Sequence, residues 1–109
     1  MKLTGKQIYA AIHDFREMQQ EKFYDLPLSV ILALQKNHAA IRPVYTILRQ
    51  TEQIILDRHN YENYESELDT MMSGLFDVDV QFFSQSDIEA STVPVSVAQT
   101  VMLFVREEV

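Results

Sequence analysis

The sequence contains no cysteine and only two glycines, Gly5 and Gly74. Without cysteine the chain can form neither a disulfide framework nor a zinc site with thiolate ligands, and the simplest setting is a reducing intracellular compartment. Two isolated glycines cannot build the glycine-rich loop that holds phosphate groups, and no Gly-x-Ser-x-Gly elbow is present. These absences remove several common classes of enzyme.

Long hydrophobic runs are also missing, so we expect no membrane span. The segment 1–15 carries Lys2 and Lys6 but no continuous apolar core, which argues against a signal peptide. Hydrophobic residues make up 47% of the 109 residues, a content too high for a disordered chain. We therefore predict a single domain over 1–109, located in the cytoplasm.

Groups that could perform catalysis are scattered. His38 and His59 would lie about 30 Å apart on one continuous helix, and His13 is far from both in sequence. His13 and Glu17 are helical neighbours but lack a third metal ligand. No pair of carboxylates is marked by an apolar pocket. We predict that the chain is not an enzyme and binds no cofactor or metal.

Charge is distributed unevenly along the chain, whose net charge is −7. Residues 1–56 carry seven Lys/Arg against five Asp/Glu, whereas residues 57–91 carry one Arg against nine acids. Phosphate repels such an acidic segment, so we expect no nucleic acid as a partner. The segment is typical of a solvated face that keeps a protein soluble, and it could also bind a basic surface on another protein.

The stretch 26–59 predicts one long helix on which the rest of the chain packs. Leu34, Ile41, Leu48 and Ile55 recur at every seventh position, which gathers apolar side chains into one stripe. A helix of this length would measure roughly 50 Å. Such a stripe must be covered either by the rest of the chain or by a second copy.

Two prolines lie in the range of this helix. Pro27 suits the first helical position. Pro43 lies in the middle, where it removes one backbone hydrogen bond and crowds the carbonyl of residue 39, at a cost of about 3 kcal/mol. The helix could break near 40–42, but the unbroken phase of the stripe favours a helix that continues with a kink at Pro43.

Three further helices are predicted at 4–22, 61–75 and 94–107, each from apolar residues at three- and four-residue spacing. Thr4 and Gln7 form a capping-box pattern at the start of the first. The segment 77–82 then alternates polar and apolar residues, which predicts a strand. Because a lone strand is unstable, its partner must be the segment 86–89, a second subunit or another protein.

The fold class is therefore α+β and mostly α, with three to four helices packed on one long central helix and a short strand or hairpin near 77–83. The candidate interaction surface combines the helix stripe, two polar residues beside it and the apolar side of the strand: Leu34, His38, Ile41, Tyr45, Leu48, Ile55, Val78, Val80 and Phe82.

Several short motifs occur in a fixed order along the chain. They are Leu26-Pro27, Ala33-Leu34-Gln35-Lys36-Asn37, Glu67-Leu68, Val78-Asp79-Val80 and Val93-Pro94. This layout resembles small proteins of unassigned function encoded by phages and prophages of Gram-positive bacteria. Pro43 departs from their pattern. The resemblance implies a phage context, in the cytoplasm of a bacterial host, and no particular activity.

The function predicted from these features is a non-enzymatic interaction protein that forms homo-oligomers and contacts phage or host proteins. Two alternatives remain open. One is a phage counter-defence protein whose acidic middle blocks a basic host surface. The other is a small-molecule or metal-binding protein that uses His38 with Tyr45, or Asp77 with Asp79, although two carboxylates supply fewer oxygens than Mg²⁺ or Ca²⁺ requires.

Overall fold

The long helix predicted at 26–59 is present in the computed structural model, which describes residues 1–21, 25–58, 61–89 and 93–106. Four helices and four short strands follow one another in the order β1 (Lys2–Thr4), α1 (Gly5–Glu21), α2 (Leu28–Asp57), α3 (Tyr61–Ser73), β2 (Leu75–Asp77), β3 (Phe83–Ser84), α4 (Val95–Leu103) and β4 (Val105–Arg106). The prediction of a mostly helical α+β fold with a long central helix is confirmed.

Helix α2 runs through Pro43 as one continuous helix of 30 residues, so the alternative break near 40–42 is excluded. Ile41 and Leu48, on either side of the proline, are both buried, while Pro43 itself is exposed. Packing on both halves therefore holds the helix together despite the missing hydrogen bond. The helix begins at Leu28, next to Pro27, which is its N-cap and not its first helical residue. The bend at Pro43 stays a prediction, and the end expected at 59 lies outside the described residues.

Helix α1 contacts each of the other three helices and forms the middle of the core. The five residues predicted for its apolar face are all buried: Ile8, Ala11, Ile12, Phe15 and Met18. Its predicted capping box is formed, since the Thr4 amide donates to Gln7 Oε1 at 2.8 Å and the Gln7 amide donates to Thr4 Oγ1 at 3.1 Å. The Phe15 ring stacks on His38 of α2 at 4.9 Å and on Phe104, the residue that follows α4, at 6.2 Å.

The start of α1 also meets the end of α3 closely. A Cβ atom added at Gly5 would lie 2.7 Å from the carbonyl oxygen of Met71, and the Gly5 amide donates to the Gly74 carbonyl at 3.2 Å. Only glycine fits this approach without a backbone shift.

The strands correct the prediction made for 77–82. Residues 75–77 pair antiparallel with β1, with Lys2 opposite Asp77 and Thr4 opposite Leu75. The N-terminal strand was not predicted, and neither 86–89 nor a second subunit is needed as the partner. Residues 78–82 join no ladder, yet Val78 and Val80 are buried as the alternation predicts.

The second ladder is a short parallel pair in which Phe83 lies opposite Val105 and Ser84 opposite Arg106. Helix α4 ends at Leu103, earlier than predicted, because the chain then enters strand β4. Within the range predicted for that helix, residue 107 lies outside the described part of the chain. The buried residues of α4 are Val97, Thr100 and Val101, and Phe104 follows them into the core.

Candidate functional site

The residues predicted as an interaction surface lie mainly in the chain's own core. Seven of the nine are buried: Leu34, His38, Ile41, Leu48, Ile55, Val78 and Val80. Helices α1 and α3 pack on α2, so this stripe is covered within the chain. Of the predicted surface, a partner can reach only Tyr45, which is half-buried, and Phe82, which is 37% exposed.

Each of these two aromatic rings already has a cationic neighbour. The guanidinium of Arg106 lies 4.3 Å from the centre of the Phe82 ring, and that of Arg16 lies 5.5 Å from the centre of the Tyr45 ring. The Tyr9 ring meets Tyr45 edge-on at 5.2 Å. These contacts hold both rings in place and use part of their surface.

His38 is a packed core residue. Its ring stacks on Phe15, and its Nδ1 lies 3.2 Å from Gln19 Nε2. Burial lowers the pKa of His38, and the nearby cations of Arg42 and Arg16 lower it further. The ring is therefore kept neutral, which is the state that suits stacking in an apolar interior.

Tyr9 and Glu52 form a polar contact between α1 and α2. The Tyr9 hydroxyl donates to Glu52 Oε2 at 2.7 Å, and Arg49 lies 3.4 Å from the same oxygen. Burial first, and then the hydrogen bond to Glu52, raise the pKa of Tyr9 to about 12. Because Tyr9 then keeps its proton throughout the physiological range, this group serves as a structural donor.

Asn37 is a structural residue that sequence reasoning missed. Its side chain is fully buried, donates from Nδ2 to the Gln81 carbonyl at 2.9 Å and accepts from the Gln81 amide at Oδ1 at 2.6 Å. The amide group thus pairs with the Gln81 backbone as a neighbouring strand would, whereas the Val78 amide donates to the Met1 carbonyl at 2.8 Å. An asparagine inside an apolar stripe was the available signal, because a buried amide needs partners.

One group of three possible metal ligands occurs in the described part of the chain: His13, Asp14 and Glu17, whose ligand atoms lie within 4.8 Å of one another. Sequence reasoning had paired His13 with Glu17 and missed Asp14. The His13 ring nitrogens face Asp14 at 3.3 Å and Glu17 at 3.8 Å, and Asp14 also accepts a hydrogen bond from Thr100. These contacts account for the cluster as a network of polar side chains that are partners of one another. Among the described residues, neither Asp77 nor Asp79 belongs to such a group.

The outward side of α2 carries a second set of apolar residues. Four large ones are strongly exposed: Leu28 at 71%, Leu32 at 53%, Ile47 at 59% and Ile54 at 54%. Ala39 and Pro43 are exposed between them. We call these six residues the outer stripe.

The outer stripe faces away from the core. At about 100° per residue, Leu32 points roughly 160° away from the buried Leu34. Lys36 lies on the same face between Leu32 and Ala39, because it is four residues from the first and three from the second. Arg42 lies beside this face. A surface helix ordinarily has one apolar side, whereas α2 also carries exposed apolar residues on its outward side.

Comparisons with protein-family models, with curated proteins and with solved structures found no match to this chain. Within the described residues, no helix is both long and apolar enough to cross a membrane.

Proposed function

We propose that this chain is a non-enzymatic interaction protein that acts through protein–protein contacts, including contacts with a second copy of itself. The observation that carries the proposal is the outer stripe of α2, where four large aliphatic side chains remain more than half exposed. Apolar side chains grouped on one face of a helix are a common basis of protein association. A phage-encoded setting remains part of the proposal and is supported by the order of the short motifs.

The strength of such contacts can be bounded. Full burial of a Leu or Ile side chain contributes about 1.5–3 kcal/mol, so each half-exposed residue retains roughly 1 kcal/mol to be gained. Association itself costs about 4–15 kcal/mol. The four large residues in each of two copies therefore contribute about 8 kcal/mol, which falls within the range of this cost and predicts weak and reversible association.

Sedimentation velocity across a concentration series tests the proposal. We expect the wild-type protein to shift from monomer towards dimer at high micromolar concentration, and the Ile47→Glu variant to remain monomeric because it places a charge in the stripe. Leu56→Glu is the matched control, since Leu56 is 42% exposed on the same helix but points about 160° away from Ile54. A wild-type protein that stays monomeric throughout would refute self-association.

A second candidate function is supported by the acidic segment. Glu65, Asp69, Asp77 and Asp79 are all exposed, on α3 and on the chain that follows it. Such a surface can cover a basic surface on another protein, as in a counter-defence protein. Binding of this kind weakens steeply as salt is added, whereas binding through the outer stripe does not. A salt titration of any partner complex therefore separates the two functions.

A further inference from the structure

Asp14 is a buried carboxylate at the contact between α1 and α4. Only 9% of the residue is exposed, and its Oδ2 accepts a hydrogen bond from the hydroxyl of Thr100 on α4. Within the part of the chain that the structure describes, no lysine or arginine pairs with Asp14. The group that could pair with it as a cation is the ring of His13, which is charged only when it is protonated. Because a carboxylate removed from water is ordinarily paired with a cation or bound to a metal ion, Asp14 can accept a cation at its other oxygen, Oδ1.

Two further metal-ligating side chains lie beside this oxygen. The His13 ring lies 3.3 Å from Asp14 Oδ1 through Nδ1 and 3.8 Å from Glu17 Oε1 through Nε2. One ligand atom from each of the three residues lies within 4.8 Å of the other two. Zn²⁺ binds nitrogen and oxygen ligands at about 2.0–2.2 Å, so two ligand atoms on one tetrahedral ion are roughly 3.3 Å apart. The side chains of His13 and Glu17 are 71% and 38% exposed, so both can rotate to close the remaining distance.

We propose that His13, Asp14 and Glu17 form a binding site for one Zn²⁺ ion, with water completing its coordination. One imidazole and two carboxylates suit Zn²⁺ better than Mg²⁺ or Ca²⁺, which prefer oxygen ligands alone. Asp14 supplies the third ligand that the spacing of His13 and Glu17 does not provide. Two carboxylates also balance the charge of the ion, and the net charge of −7 attracts cations to this chain.

Thr100 is a positioning residue for this site. Its side chain is buried and its hydroxyl donates to Asp14 Oδ2, which leaves Oδ1 directed towards His13. Hydrogen bonds of this kind orient metal-binding carboxylates. Because Thr100 belongs to α4 and the three ligands belong to α1, the site is complete only in the folded chain, and zinc should stabilise the fold. The site uses no residue of the outer stripe, so it goes beyond the proposed function and does not depend on it.

Isothermal titration calorimetry with zinc chloride, on the full chain freed of metal by a chelator, tests the site. We expect one Zn²⁺ per chain with micromolar affinity, and His13→Gln and Glu17→Gln should each weaken binding about tenfold or more. Both positions are accessible to solvent, so neither variant should disturb the fold. Glu65→Gln is the matched control, because Glu65 is an exposed acid on another helix, and it should bind zinc as the wild-type protein does.

Two further measurements examine the link to α4. Zinc should raise the urea midpoint of unfolding of the wild-type protein and of Glu65→Gln, but not that of His13→Gln. Thr100→Val should weaken zinc binding about tenfold, whereas Thr100→Ser, which keeps the hydroxyl, should retain it. Equal zinc affinity in Thr100→Val and the wild-type protein would contradict the positioning role.

The outcomes of the titration decide the proposal. One bound ion, lost in His13→Gln and Glu17→Gln and kept in Glu65→Gln, supports the site. If the wild-type protein binds no zinc up to millimolar concentration, or if His13→Gln binds it equally well, the proposal is wrong. An equal loss in Glu65→Gln would also overturn it, because zinc would then be attracted by the acidic surface as a whole.

Discussion

The two sides of α2 have similar composition but different surroundings. The inner side places Leu34, Ile41 and Leu48 in the core, whereas the outer side leaves Leu32 and Ile47 more than half exposed. Both sides have helical apolar spacing, so spacing alone does not show which side the chain covers. The comparison teaches that this helix contributes to folding with one side, while the other side stays exposed and is where we propose association.

The largest difference in stability is expected between two alanine variants, one at Leu34 on the inner side and one at Leu32 on the outer side. Leu34→Ala removes a fully buried side chain and should lower the free energy of unfolding by about 2–5 kcal/mol, because it leaves a cavity. Leu32→Ala, on the outer side, should change it by no more than about 0.5 kcal/mol. Urea unfolding at low protein concentration measures both. Equal losses would show that the two sides are equally buried in the monomer.

The next largest effect on stability is expected at the polar contact between Asn37 and Gln81, on the inner side of α2. Asn37→Leu removes both hydrogen bonds to the Gln81 backbone and should cost about 2 kcal/mol, because the Gln81 amide and carbonyl lose their partners. Hydrogen exchange at the Gln81 amide should accelerate more than exchange at core amides of α1. Gln35→Leu, at an exposed position of the same helix, is the control. Unchanged exchange at Gln81 in Asn37→Leu would mean that this contact does not hold the segment.

A smaller effect is expected from His38, on the inner side of α2, whose protonation makes the stability of the fold depend on pH. The pKa of His38 is lowered in the folded protein, while the unfolded chain has a value near 6.5. Below about pH 6.5 the unfolded chain therefore binds a proton that the native protein resists, and stability should fall as pH decreases through this range. Above that value the His38 contribution is constant.

The variant His38→Gln should reduce this dependence of unfolding free energy on pH, measured by urea unfolding between neutral and mildly acidic pH. His13→Gln is the matched control, because the His13 side chain is 71% exposed, and it should leave the slope produced by His38 in place. An identical slope in His38→Gln and the wild-type protein would contradict the assignment.

Local patterns predicted the parts of the fold that depend on nearby residues. The apolar face of α1, its Thr4–Gln7 capping box and the inner stripe of α2 follow from helical spacing and from side-chain contacts one turn apart. The continuity of α2 through Pro43 also followed, because the stripe keeps its phase across the proline.

Contacts between residues that are far apart in the sequence could not be predicted from local patterns. Strand β1 has only three residues, too few to show an alternating pattern, and its pairing with 75–77 depends on how α1 and α3 meet at Gly5. The partner of the Gln81 backbone is a side chain on α2, which strand patterns do not indicate. The candidate site was placed on the inner stripe for a related reason, since the sequence does not show which apolar side α1 covers.

Thiol labelling of single-cysteine variants tests the different roles of the two sides most directly. In dilute protein, Ala39→Cys should react quickly with a thiol reagent and Leu48→Cys should resist it, because position 39 is exposed and Leu48 is 2% exposed. At high protein concentration, the reaction of Ala39→Cys should slow as the outer stripes pair, while Leu48→Cys stays protected. If the labelling rate of Ala39→Cys did not depend on protein concentration, the outer stripe would not pair. If Leu48→Cys reacted as quickly as Ala39→Cys, the two sides of α2 would not differ in burial.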